Sequence, residues 1–171
     1  MEEIDIIDDN GAVLFQVSKD EAHKKGLLHK TVIAQVFDSE KRWLLVRQAK
    51  HKQDPGKLVS PVGGHLRTKE DGLDALFREA YEELAFREFV HKYIGHVVHN
   101  RKVGETRENH FFVAYEIYSN TKPVLNHEST DFRYFTEEEL IKELTTHPDI
   151  FGESFHVLAK TFYSHLFDKT L

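Results

Sequence analysis

The feature that most restricts this chain is a group of acids set into a segment that must also bury an apolar face. Within residues 63–86, Leu73, Leu76, Phe77, Ala80 and Leu84 recur at the i, i+3, i+4, i+7 spacing of one side of an α-helix. At roughly 100° per residue, Glu79, Glu82 and Glu83 fall together on a different side, three and four positions apart. Like charges at that spacing weaken an isolated helix by about 0.2–0.5 kcal/mol per pair. A cation among them reverses the penalty, and hard divalent cations prefer carboxylate oxygens. A lone Glu-Glu pair is usually a solvated helix face. This one is preceded by the pair Gly63-Gly64, by Glu70 in a short polar loop, and by Arg78 directly before the first acid.

Taken together, Gly64, Glu70, Arg78, Glu79, Ala80, Glu82, Glu83 and Phe86 stand at the spacings of glycine, five residues, glutamate, seven residues, then Arg-Glu-apolar-x-Glu-Glu-x-Gly-apolar. That pattern resembles the signature of the Nudix hydrolase family. One position departs: Ala85 occupies the place of the glycine that lets the chain leave the helix through positive φ. The departure concerns backbone shape and touches no carboxylate.

The 171 residues suit one domain with a substantial core, with no repeat, low-complexity run or linker, so residues 1–171 are expected to form a single unit. Hydrophobic content of 40% with 30% charged residues excludes a disordered chain. A net charge of −6 argues against a nucleic-acid partner bound through a broad basic surface. No apolar run approaches the ~18 residues of a membrane span, and the acidic start Met1-Glu2-Glu3 does not read as a secretory signal. Cysteine is absent, so neither disulfides nor thiol chemistry are available. A cytoplasmic location is the default expectation.

Residues 4–17 read as a hairpin turning at Asn10-Gly11, and Ser18 as the cap of a short helix stopped by Gly26, so residues 1–28 form an N-terminal hairpin and helix. Residues 29–37 and 42–48 alternate as strands, with a basic loop at 50–57 between them and the signature. Residues 86–98 are rich in β-formers, 100–109 read as a polar hairpin loop around Gly104, and 110–118 and 131–135 as strands. Thr136 with Glu139 makes a capping box, and Phe155, Leu158, Ala159, Phe162 and Leu166 mark a terminal amphipathic helix. Strands interspersed with helices give an α/β layer architecture. The family resemblance sharpens this to an α/β/α sandwich around a mixed sheet.

The resemblance also implies a chemistry: divalent-metal-dependent cleavage of the diphosphate in a nucleoside diphosphate derivative or related small molecule. Metal ions neutralise the phosphate oxygens, orient the substrate and lower the pKa of bound water. By resemblance Glu79, Glu83 and Glu82 are the metal ligands, with the carbonyl of Gly64 as a further one. Glu70 and Arg78 are the orienting residues, since an arginine holds carboxylates in a two-pronged grip and keeps them ionised. Magnesium is the expected ion and manganese the alternative. The general base lies outside the fixed pattern; Glu128, Glu105 and Glu108 are candidates, alongside Glu82 in the helix. Arg47, Lys50, His51, Lys52 and Lys57 are candidates to meet substrate phosphates, and Trp43, Tyr93 and Phe112 read as strand aromatics of the core. Many relatives in the family are dimers, which leaves a homodimer open.

A second likeness is to the superfamily branch of isopentenyl diphosphate isomerase, carried by Gly26-Leu27-Leu28-His29 ahead of a strand and Gly64-His65 in the signature. That branch holds a metal with histidines and acids, and His23, His29, His65, Glu108 and His110 stand here in comparable order. Imidazole with carboxylate suits manganese or zinc. Gly63, however, occupies the place of the isomerase's essential cysteine, and His110 that of its second acid. Hydrolysis therefore leads; an isomerase-like metal-binding protein and a catalytically silent ligand-binding module are the rivals.

Overall fold

A computed structural model describes residues 1–168. The elements run β1 (Glu3–Ile7), β2 (Val13–Ser18), α1 (Lys19–Lys25), β3 (His29–Phe37), β4 (Trp43–Gln48), β5 (Leu58–Val59), β6 (Val62–His65), α2 (Gly72–Leu84), β7 (Val90–Val103), β8 (Thr106–Tyr118), β9 (Ser129–Phe135), α3 (Glu137–Thr146) and α4 (Glu153–Phe162). All nine strands join one mixed sheet organised on β3. Strand β8 runs parallel to β3 along its whole length, from His29 opposite His110 to Phe37 opposite Tyr118. Strand β6 pairs antiparallel with the first half of β3, and β4 with its end. Strand β3 is therefore buried at every position but Lys30, the continuous apolar run of a strand covered on both faces.

One face of the sheet packs against α2, through Leu76, Ala80 and Leu84 against Val32, Ala34 and Val62. The other packs against α3 and α4, through Leu140, Phe155 and Leu158 against Ile33, Leu45 and Phe112. The result is the expected α/β/α sandwich. Among the described residues no helix is long and apolar enough to cross a membrane.

Local signals that depend on a few neighbouring atoms hold. The Ser18 side chain accepts from the Glu21 amide, Gly26 closes α1 at φ 65°, and Thr136 with Glu139 forms the capping box of α3. Trp43 and Phe112 are core residues, whereas Tyr93 is 54% exposed. Three expectations need correction. First, the hairpin around Gly104 holds but its loop is shorter than expected: Asn100–Val103 pair with Thr106–Asn109 in unbroken register and the chain turns only around Gly104. A two-stranded ribbon needs no apolar alternation, because backbone hydrogen bonds alone define it. Second, α4 ends at Phe162 and a 3-10 turn carries Leu166 into the core. Third, the face of α2 turned to the sheet is rotated from the one expected: Leu73 and Phe77 are exposed, while Ala75 and Glu79 are buried. Glu79 thus belongs to the inward face, not to a separate acidic one.

Ala85, in the place of the signature's glycine, closes α2 in the left-handed region at φ 59°. A Cβ there meets the following carbonyl at a cost of about 1–2 kcal/mol, which glycine avoids while losing more chain entropy on folding. Ala85→Gly is accordingly expected to raise stability by about 1 kcal/mol or less, seen as a higher urea midpoint at unchanged slope.

Candidate active site

Two groups of side chains meet at one cavity of about 330 Å³, the first lining it and the second reaching it through His65 and His110. The first is built on α2 and β6. Gly63 and Gly64 pair with Ile33 and Val32 and carry β6 beneath the helix. A Cβ on Gly64 would overlap the Glu79 carboxylate, so the glycine is what lets that carboxylate lie against the strand. The Gly63 amide donates to Glu83 Oε2 at 3.0 Å. Arg78 grips Glu70 with two bonds, Nε to Oε1 at 2.7 Å and Nη2 to Oε2 at 2.8 Å, and also donates to the His65 carbonyl at 3.0 Å. Its remaining nitrogen pairs with Glu79 and lies 3.5 Å from Glu82, whose other oxygen is 3.6 Å from Arg67.

Glu128 arrives from the segment before β9. Its carbonyl accepts from the Ala49 amide, its carboxylate lies 3.2 Å from Lys52 Nζ, and its charge acts on Glu83. Burial pushes the Glu79 carboxyl up to about 7 despite Arg78, and pushes Glu83 well up, with the charge of Glu79 adding to the effect. Burial would raise Glu70 and Glu128 too, but Arg78 outweighs it at the first and Lys52 at the second, and both are held low. Ionised Glu79 and Glu83 are thus disfavoured by burial and incompletely compensated by the protein, a condition a divalent cation relieves.

Of the other sequence candidates, Lys52 lines the cavity with Glu128, while Arg47, Lys50, His51 and Lys57 do not. Arg47 is spent on Asp131 and the Gly56 carbonyl, and His51 stacks on His127 with centroids 5.7 Å apart. Glu105 sits at the exposed tip of the β7–β8 ribbon, away from the cavity, and does not meet the helix acids. Glu108 is in the cavity wall but is bound to Arg101, at 2.9 Å. Arg101 also reaches Asp54 and Glu153, and neither it nor these acids were singled out by spacing. The cross-strand pairing of Arg101 with Glu108 exists only in the register of hairpin arms read from sequence as part of the loop.

The second group is imidazole. His23 from α1, His29 from β3, His65 from β6 and His110 from β8 each place a ring nitrogen within 4.8 Å of the others. His29 and His110 are opposite one another across the parallel β3–β8 pairing, and His65 is opposite Thr31 on the other edge of β3. The Nε2 atoms of His23 and His65 are 3.1 Å apart. His29 Nδ1 is 2.7 Å from the Leu27 carbonyl, and a proton held there turns the lone pair of Nε2 toward the cluster. The Nε2 atoms of His29 and His110 are buried and have no hydrogen-bond partner among the described residues. Burial lowers all four rings, His29 to about 4 and His110 to about 2, with the neighbouring imidazoles adding to the effect at His110. Four neutral imidazoles with nitrogens within 4.8 Å of one another, two of them unpartnered, form a donor set suited to a borderline transition metal.

The chain matches the model of the NUDIX domain over residues 27–155. It belongs to the NUDIX family. An isopentenyl-diphosphate Delta-isomerase of Pectobacterium atrosepticum is 34% identical over 86 residues, 50% of this chain and 48% of that protein. An uncharacterized Nudix hydrolase of Streptomyces coelicolor is 36% identical over 87 residues, 47% of this chain and 45% of that protein. The match thus spans about half the length of each. Isopentenyl-diphosphate Delta-isomerase 2 of Aromatoleum aromaticum is 26% identical and covers 88% of this chain and 81% of its own. Among solved structures, DR0079 from Deinococcus radiodurans superposes with a TM-score of 0.77 at 19% identity, covering 95% of this chain and 99% of that one. The MutT protein from Methanosarcina mazei gives 0.65 at 20%, covering 81% and 94%. At those identities the structures speak for the fold.

The cradle at Gly64 makes a specific expectation. The atoms a methyl would strike are the far end of a flexible glutamate. Gly64→Ala should therefore change the unfolding midpoint little while moving the Glu79 carboxylate, and divalent-cation affinity measured by titration calorimetry should fall by about tenfold or more.

Proposed function

We propose that this chain hydrolyses the phosphoanhydride of a small-molecule diphosphate, a nucleoside diphosphate derivative or a related compound, with a divalent cation at the acids of α2. The observation that carries the reading is the convergence of Glu79, Glu83 and Glu128 in one cavity, with Arg78 and Glu70 locking the first of them from behind. Glu79 and Glu83, with Glu82 at the rim and the Gly64 carbonyl beside them, are the residues that would hold magnesium or manganese. When bound, the ion supplies charge neutralisation of the phosphate oxygens and a lowered pKa for the attacking water.

The protein's own part is positional. Arg78 and Glu70 fix the Glu79 rotamer, and the Gly63 amide fixes Glu83. Glu128 is held ionised by Lys52 and is the group placed to take the proton of the attacking water. The water oxygen bonds to phosphorus, the bridging P–O bond breaks, and the departing phosphate carries away the electron pair. Lys52 and Arg67, which also line the cavity, are suited to the phosphate oxygens. The test is a panel of nucleoside and non-nucleoside diphosphates with magnesium and manganese, scored by phosphate-containing products. Glu83→Gln is expected to cut turnover by about a hundredfold or more with the fold intact by circular dichroism. Undiminished turnover in that variant would remove Glu83 from the site.

The four histidines favour a second reading that stands beside the first: a separate transition-metal centre at the wall of that cavity, which His65 and His110 line. Isomerase relatives lend it support, while Gly63, in the place of the isomerase cysteine, argues against isomerase chemistry here. His65→Ala is expected to abolish stoichiometric zinc or manganese in protein purified without chelator, measured by plasma mass spectrometry. Equal metal content in the variant would dismiss the centre.

A further inference from the structure

We propose that Arg101 holds Glu108 away from the histidine centre, leaving an uncharged, four-imidazole site that takes zinc-like cations and refuses magnesium. The inference rests on the second reading above and concerns what that centre selects. Glu108 and His110 are two residues apart on β8, so their side chains leave the same face of the strand. On the neighbouring strand Arg101 lies opposite Glu108 and His99 opposite His110. A carboxylate at position 108 thus stands beside the histidines and is the natural oxygen donor to any ion among them. It is instead directed sideways.

Arg101 Nε donates to Glu108 Oε2 at 2.9 Å, while Nη1 reaches Asp54 at 3.2 Å and Glu153 at 3.2 Å. His99 adds a 2.7 Å contact to the other oxygen of Glu153. The guanidinium is therefore anchored from the 49–57 loop and from the start of α4, and does not follow Glu108 if it moves. Glu108 is only 6% exposed, so leaving Arg101 would strand a buried charge. Burial works against the charged form of Arg101, yet its acid partners, Glu108 first, outweigh that and raise it further.

The chemical consequence follows from the donors that remain. Neutral nitrogens leave a divalent ion its full charge and offer none of the oxygens that magnesium demands. Imidazole suits zinc, copper, iron and nickel. Two donor sets of opposite preference then lie side by side, the α2 carboxylates in the cavity and the imidazoles that reach it through His65 and His110, and Arg101 keeps them chemically distinct.

The experiment uses the full chain, stripped of metal and titrated calorimetrically with zinc, cobalt(II) and magnesium. Wild type should bind zinc and cobalt with magnesium unable to compete at the histidines. Glu108→Gln should leave zinc affinity within about threefold, since the residue is no ligand, whereas His65→Ala should lose a hundredfold or more. Arg101→Met should free Glu108, weakening the visible absorption of bound cobalt as coordination rises and admitting manganese more readily. A loss in Glu108→Gln as large as that in His65→Ala would make Glu108 a ligand and overturn the proposal. Zinc binding untouched by His65→Ala would dismiss the centre itself, a distinct outcome. Glu108→Gln keeps Arg101 paired to Asp54 and Glu153, so the decisive variant does not depend on Arg101→Met folding.

Discussion

The two hydrogen-bonded edges of β3 are the constraint on which everything else depends. Its parallel edge sets His110 beside His29, and its antiparallel edge sets His65 beside Thr31 and runs Gly63 and Gly64 beneath α2. Because side chains alternate across a strand, a slip of one residue on either edge would send half of these groups to the opposite face. Pairing on both edges and packing on both faces hold β3 in the observed register. The same packing that stabilises the sandwich therefore aligns both groups of donors.

Electrostatics then decides what each group is for. Arginines do comparable work at the two ends of the cavity. Arg78 draws Glu70 and Glu79 into fixed positions with an excess of acid left around them, whereas Arg101 absorbs Glu108 and leaves the imidazoles bare. Both guanidiniums are largely enclosed, where a paired charge is expensive to separate. Neither is interchangeable with lysine, because the forked geometry that binds two carboxylates at once is what fixes the rotamers. Lys52, by contrast, meets Glu128 as a single point charge from a loop, and that pair is the softer part of the site.

Much of this was legible in the chain. The caps at Ser18, Gly26 and Thr136 are local physics and were read correctly, as was the strand at residues 29–37. The hairpin around Gly104 was legible, but its arms at residues 100–103 and 106–109 were not read as strands because they are defined by pairing, which leaves no apolar period. The inward turn of Glu79 escaped because helical periodicity places an acid outside unless a neighbouring strand makes room, and the room comes from the missing side chain at Gly64.

The sequence by itself determined the α/β composition, the family and the acid-bearing helix, since each is encoded within a window of a few turns where spacing alone fixes geometry. Only the tertiary structure decided that His23, His29, His65 and His110 meet while Glu108 does not, and that Glu128 rather than Glu105 reaches the helix acids. These residues lie on different elements, and their distances depend on sheet register and on competition for buried charge. Both are settled only when the whole core closes.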